Sequence, residues 1–194
     1  MEGLDESLVA AHLRGDPAAF GELVRRYGDG VLGYLCRMTG NRDQAEDLFQ
    51  ETFKRVHEKA RTYRGGSFKS WLFTIATRVT IDTVRRRKRA TILSLHQQTD
   101  CEDDPPAWET VAGQDAADPA DEAVRAEQRE HVRRALASLP VGQRAALVLA
   151  YYQQLTYPQV AETLGCSVGA VKTQVSRALT KLARQLPDSV DVTE

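Results

Sequence analysis

Apolar residues recur at spacings of three and four along most of this chain, and nowhere does a strand-like alternation persist. That periodicity restricts the fold to helices packed on helices, so an all-α architecture is expected. Asp16 followed by Pro17 is the first strong start signal: the carboxylate can accept an orphan amide, and proline loses nothing at the first helical position. The helix they open would bury Phe20, Leu23, Val24 and Tyr27, continue through Val31, Leu32 and Leu35, and stop near Gly40. Asn41 and Asp43 then offer caps for a helix with Ala45, Leu48, Phe49, Thr52, Phe53 and Val56 on one side and Glu46, Asp47, Gln50 and Glu51 largely on the other. After Gly65 and Gly66, the series Phe68, Trp71, Leu72, Ile75, Ala76, Val79 gives a third amphipathic helix, which runs into the cations Arg85, Arg86, Arg87, Lys88 and Arg89.

The formal net charge is −1, but the charges are unevenly placed. Residues 1–89 carry 17 Lys/Arg against 12 Asp/Glu, residues 90–124 carry none against 9, and residues 125–194 carry 9 against 6. Two basic ends flanking an acidic middle suggest two modules that can each meet a polyanion. Residues 97–122 are poor in large apolar side chains and rich in Asp, Glu, Ala and Pro, which reads as a flexible acidic linker between helical domains at 1–96 and 123–194. A flexible chain of about 35 residues averages roughly 30 to 35 Å end to end and stretches to about 115 Å, enough to set two modules one to three duplex turns apart. Tethered between basic modules, the linker has two open readings: a mimic that competes with DNA for them, or a spacer whose acids keep it soluble and extended.

Other classes are disfavoured. The longest apolar run is the short Ala145–Tyr152, far below the roughly 20 residues that span a bilayer, so no membrane insertion and a cytoplasmic location are expected. Cys36, Cys101 and Cys166 are far apart with no CxxC pair, and His12, His57, His96 and His131 are dispersed, so no disulfide, metal or cofactor is expected. Paired carboxylates such as Asp47 and Glu51 have no partner histidine, and there is no phosphate loop or nucleophile elbow, so no catalytic residue is assigned.

Toward the C-terminus, Val132, Ala135, Leu136 and Leu139 lead to Pro140, and Ala145–Tyr152 forms a strongly apolar helix. Thr156 can cap a helix through Val160, Ala161 and Leu164 that ends at Gly165, and a second helix begins at Ser167 with Val171, Val175, Leu179 and Leu182 directed inward. Ala161 is small where two helices cross, Gly165 allows the turn, and Val171 plugs the interface: a helix-turn-helix pattern. Gly169, Ala170, Lys172, Thr173, Gln174, Arg177, Lys181 and Arg184 face outward, with no acid between Glu162 and Asp188. Such a helix suits a major groove, where amide and cationic side chains reach base edges.

Two strings then point to one family. AEDLFQETFKRVHE with FKSWLFTIATRVTIDTVRRRKR resembles region 2, and LPVGQRAALVLAYYQQLTYPQVAETLGCSVGAVKTQVSRALTKL resembles region 4, of bacterial RNA polymerase sigma factors of the extracytoplasmic-function (ECF) group. The resemblance implies that region 2 docks on the clamp helices of the largest core polymerase subunit and opens the minus-ten element, that region 4 reads the minus-thirty-five element as duplex, and that an anti-sigma factor is a further partner. On that basis Asp47, Gln50 and Glu51 would meet core polymerase. The loop Tyr63, Arg64, Gly65, Gly66, Ser67 would hold an unstacked minus-ten base, its glycines allowing close approach and its tyrosine and arginine offering stacking faces. Arg85 to Arg89 would bind phosphates rather than read sequence. Gly169, Ala170, Lys172, Thr173, Gln174, Arg177 and Lys181 would face the minus-thirty-five duplex. The family commonly has Asn where this chain has Arg78, on the DNA-facing helix, and arginine where it has Gln174, so base preference does not carry over. The alternative is a helix-turn-helix regulator that binds an operator without being a polymerase subunit; promoter-specific initiation on adding core enzyme separates the two.

Overall fold

The computed structural model describes residues 2–94 and 119–185. Helices α1 (Glu2–Leu13), α2 (Pro17–Thr39), α3 (Arg42–Lys59) and α4 (Phe68–Ser94) form an N-terminal bundle. Helices α5 (Pro119–Ala137), α6 (Val141–Leu147), α7 (Tyr157–Leu164) and α8 (Val168–Ala183) form the C-terminal unit, and no strand occurs among the described residues. The expected linker lies mostly outside them, and Pro119–Glu122, expected to belong to it, form the first turn of α5 instead, with proline where its missing donor costs nothing.

The caps explain where the helices begin and end. Asp16 accepts from the Ala18 amide at 2.9 Å ahead of Pro17, Asn41 accepts from the Gln44 amide at 2.9 Å, and Ser67 accepts from the Ser70 amide at 3.2 Å to start α4. Tyr34 and Phe73 pack edge-on deep in the bundle, and the Tyr34 hydroxyl meets Thr77 Oγ1 at 2.9 Å, joining α2 to α4 without an orphaned polar atom.

Helix α1 breaks the apolar rule. Leu4 and Leu13 are exposed while Asp5 is buried, its two carboxylate oxygens taking Arg26 Nη1 and Tyr27 Oη, each at 2.5 Å. Burial and the Asp5 carboxylate push the Tyr27 phenol above its ordinary value, so it keeps its proton and donates it to Asp5.

The C-terminal unit follows the expected chemistry with two changes. Thr156 and Gln159 form a reciprocal capping box, Gly165 turns at φ 65°, Ser167 caps α8, and Val171 is fully buried near Ala161. Leu179, expected inward, is 41% exposed, and Ala178 takes the buried position: with Val171 and Val175, at spacings of four and three, it completes the buried stripe of α8. The apolar run also does not continue as an α-helix: it widens into a π-turn at Val148–Tyr152, where the Gln153 amide reaches back to Val148 O at 3.1 Å.

The two units share one continuous core, with α7 packed on α4 and α5 and α6 meeting α2. Arg144 on α6 donates through Nη1 to Met38 O at 2.6 Å and through Nη2 to Ala137 O at 2.6 Å and Leu139 O at 3.2 Å. Arg133 reaches Gly40 O at 3.3 Å, Gln153 Nε2 reaches Gly30 O at 3.0 Å, and the Arg37 guanidinium lies 4.1 Å over the Tyr152 ring. Two cations of the C-terminal unit thus satisfy carbonyls at the C-terminus of α2, the electronegative end of that helix.

Candidate nucleic-acid and partner interfaces

On α3, burial of Ala45, Leu48, Thr52, Phe53 and Val56 turns the acidic side chains outward. Asp47 and Gln50 are exposed; Glu51 is half-buried and accepts from Arg55 Nε at 2.7 Å, and Glu46 accepts from Arg42 Nε at 2.9 Å. The three residues expected to meet core polymerase therefore share one side of one helix.

Between α3 and α4, a short 3-10 turn at Ala60–Thr62 leads into residues 63–67. Tyr63 is half-buried, its ring 5.5 Å from Trp71 and 5.6 Å from Phe68, and its hydroxyl donates to Gly66 O at 2.5 Å. It buttresses the loop as much as it offers a face. Phe68 is core and Trp71 half-buried beside it, as their place on the apolar stripe requires. Arg64 is exposed, Ser67 is spent on the α4 cap, and Arg78 is exposed farther along α4. Arg85, Arg86, Arg87, Lys88 and Arg89 extend α4; Arg86 is exposed, and the other four side chains lie outside the description.

On α8, Gly169, Lys172, Thr173 and Arg177 are exposed and Ala170 and Lys181 half-exposed. Gln174 is different: its Oε1 is buried, makes no hydrogen bond, and sits 3.2 Å from where a Cβ on Gly142 would be. It is wedged against α6, which separates it from the outward face it was expected to share. Thr173 Oγ1 donates to Gly169 O at 3.0 Å, and Lys181 Nζ donates to Ser138 O at 2.5 Å. A shallow depression lined by Pro140, Gln143, Ser176, Arg177, Thr180, Lys181 and Arg184 gathers three cations at the C-terminal half of α8. The exposed polar side chains of the first turns of α8 are thus Lys172 and Thr173, and the cations of its later turns are Arg177, Lys181 and Arg184.

Two contacts had no signal in the sequence. Arg144 stands just before the apolar run 145–152 and gives no sign that it is buried, and Glu6 on α1 accepts from the Gly66 amide at 3.0 Å, 60 residues away.

The family model described as Sigma-70 region 2 matches residues 23–90, and that described as Sigma-70, region 4 matches residues 129–182. The chain is 32% identical over 192 residues to the ECF RNA polymerase sigma factor SigW of Bacillus subtilis, covering 97% of this chain and 100% of that one. It is 36% identical over 173 residues to the ECF RNA polymerase sigma factor SigE of Mycolicibacterium smegmatis, covering 87% of this chain and 63% of that longer one. Its fold is similar to that of the sigma factor RpoE from Bartonella quintana, crystallised with the anti-sigma factor NepR, with a TM-score of 0.67 at 24% identity over 88% of this chain and 98% of that one.

Proposed function

Because the chain belongs to the ECF group of RNA polymerase sigma factors, which bind core RNA polymerase and direct initiation at promoters, we propose a division of labour among its surfaces. The Asp47, Gln50 and Glu51 side of α3 takes core polymerase. The 63–67 loop, Arg78 and the basic run at 85–89 take the minus-ten element, and α8 takes the minus-thirty-five element. The chain supplies recognition and no reaction of its own. The observation that carries this reading is the presence, in family order, of both regions with their polar faces outward: an acidic one on α3 and an acid-free one on α8. The match over 23–90 leaves no separate ligand-binding bundle for an operator-binding regulator. Run-off transcription with purified core polymerase over a promoter library tests it: promoter-specific transcripts are expected only with both components, and specific duplex binding by the free chain with no effect on core would refute it.

The closed packing must open for this function. The minus-ten and minus-thirty-five elements differ by about 25 base pairs, or about 85 Å of duplex at roughly 3.4 Å per step. A compact body of about 160 residues has a radius of gyration of only about 15 Å. Both elements are therefore contacted together only once α5–α8 leave α2 and α4. The closed packing is also the arrangement an anti-sigma factor would hold, and we assign that class of partner to this chain.

Replacing Lys172 and Thr173 with Ala should relax minus-thirty-five preference at one or two base pairs, each lost contact costing roughly 1 to 3 kcal/mol of discrimination, with core binding unchanged. Arg177→Ala should instead weaken binding to all sequences alike and lower its salt dependence. Binding measured across a library of minus-thirty-five variants at two salt concentrations separates these outcomes, and an unchanged preference in the double variant would remove Lys172 and Thr173 from base reading.

A further inference from the structure

Between Glu58 and Asp82 the chain contains no acid, and the loop at 63–67 is flanked by Arg61, Arg64 and Lys69. The fold nevertheless brings a carboxylate to that loop from 60 residues away. Glu6 Oε1 accepts from the Gly66 amide at 3.0 Å and lies 3.1 Å from where a Cβ on Gly65 would stand. Gly65 and Gly66 have φ values of 90° and 82°, so both the backbone path and the carboxylate's approach require glycine. Since Tyr63 Oη holds Gly66 O, both polar groups of that residue are fixed, one by the loop itself and one by α1.

We propose that Glu6 is a specificity-determining residue for the minus-ten element. With Oε1 it holds the loop in shape, and with Oε2, which has no hydrogen-bond partner among the described residues, it accepts from the exocyclic amine of an unstacked adenine or cytosine. A carboxylate accepts and does not donate, so for a base docked in the register that aims the adenine or cytosine amine at Oε2, guanine and thymine place O6 and O4 there and are disfavoured, their own N–H donors lying farther along the edge. The same atoms would also suit a removable plug that a DNA phosphate displaces from Gly66. The setting of α1 favours the first: Asp5 is buried on Arg26 and Tyr27 and Val9 is buried one turn on, so the helix that carries Glu6 is held against the bundle and keeps the exposed carboxylate beside the loop.

This inference rests on the reading of residues 63–67 as the minus-ten loop, and the test separates the two. Full-length chain with core polymerase is presented with fork-junction promoter DNAs in which each minus-ten base of the single strand is varied in turn. Wild type should favour A or C over G or T at one position by about tenfold or more. Glu6→Gln keeps an acceptor for the Gly66 amide but adds an amine, and should lower or invert that preference at that position alone; Glu6→Ala should flatten it. Unchanged preference in both variants overturns the proposal, as does a uniform gain in affinity for every sequence, which is the signature of a plug. Arg64→Ala and Gly66→Ala report on the loop itself. If they alter minus-ten binding while the Glu6 variants do not, the loop reading stands and the role of Glu6 falls; if neither set has an effect, the loop reading fails. Should Glu6→Ala loosen α1, seen as an altered thermal melt, Glu6→Gln still decides.

Discussion

Reversing Asp47 and Glu51 to Lys should abolish association with core polymerase while leaving the bundle folded. Both residues sit on the outer side of α3, and among the described residues the pairing lost is the Glu51–Arg55 contact on the surface, worth roughly 0 to 1 kcal/mol. The α3 core at Leu48, Thr52, Phe53 and Val56 is untouched. At an interface, by contrast, losing one partner of a desolvated charge pair costs about 2 to 5 kcal/mol, and reversal adds like-charge repulsion, so at least a hundredfold loss of affinity is expected. Co-purification with core, read beside the helical circular dichroism signal, checks it. A folded double variant that co-purifies at wild-type yield would move the core-binding site elsewhere.

Arg144→Ala should be the most destabilising single substitution outside the apolar core. The side chain is 9% exposed and serves three carbonyls, one of them across the junction between the two units. Burial lowers its pKa from the ordinary arginine value, yet a guanidinium remains charged, so its desolvation is offset only by those carbonyls. Removal leaves Met38, Ala137 and Leu139 with unmatched oxygens and opens a void; about 3 to 4 kcal/mol is expected. Arg144→Lys should recover little, since an ammonium cannot span the three acceptors as a planar fork does. Urea denaturation measures the loss, and a change under about 0.5 kcal/mol would show that water serves those carbonyls equally well.

What the sequence made legible was chemistry decided locally. Asp16–Pro17, Asn41, Thr156, Gly165 and Ser167 each act within four residues of themselves, and each stands where its type predicted, Thr156 with Gln159 added as its reciprocal partner. The acid-free outer face of α8 and the acidic side of α3 were likewise readable, because exposure follows from a periodic apolar stripe opposite. What escaped was decided by distant parts of the chain. Asp5 is buried because Arg26 and Tyr27 await it, which reverses the apolar logic of α1. Gln174 turns inward because Gly142 leaves a space beside it. Ala178 takes the interior place expected for Leu179, since Val171, Val175 and Ala178 share the stripe that the neighbouring helices cover, and apolar character alone does not say which side of a leucine the stripe falls on. The closure of one unit on the other depends on Arg144, Arg133 and Gln153 finding backbone carbonyls, and carbonyls are invisible in a sequence because every residue has one.

That closure gives the two halves of the molecule a shared thermodynamic account. If separation costs the free chain about 2.7 kcal/mol, only about one molecule in a hundred is ready to touch both promoter elements, and the apparent affinity for a full promoter falls a hundredfold below its intrinsic value. A core polymerase that held the halves apart would remove that deficit without contacting a single base. Linkage makes the effect reciprocal: a promoter tightens the hold of core on this chain by the same factor as core tightens the hold of the promoter. On that reading the carbonyls of Gly30, Met38 and Gly40, which accept hydrogen bonds from the other unit, would set how strictly the one depends on the other.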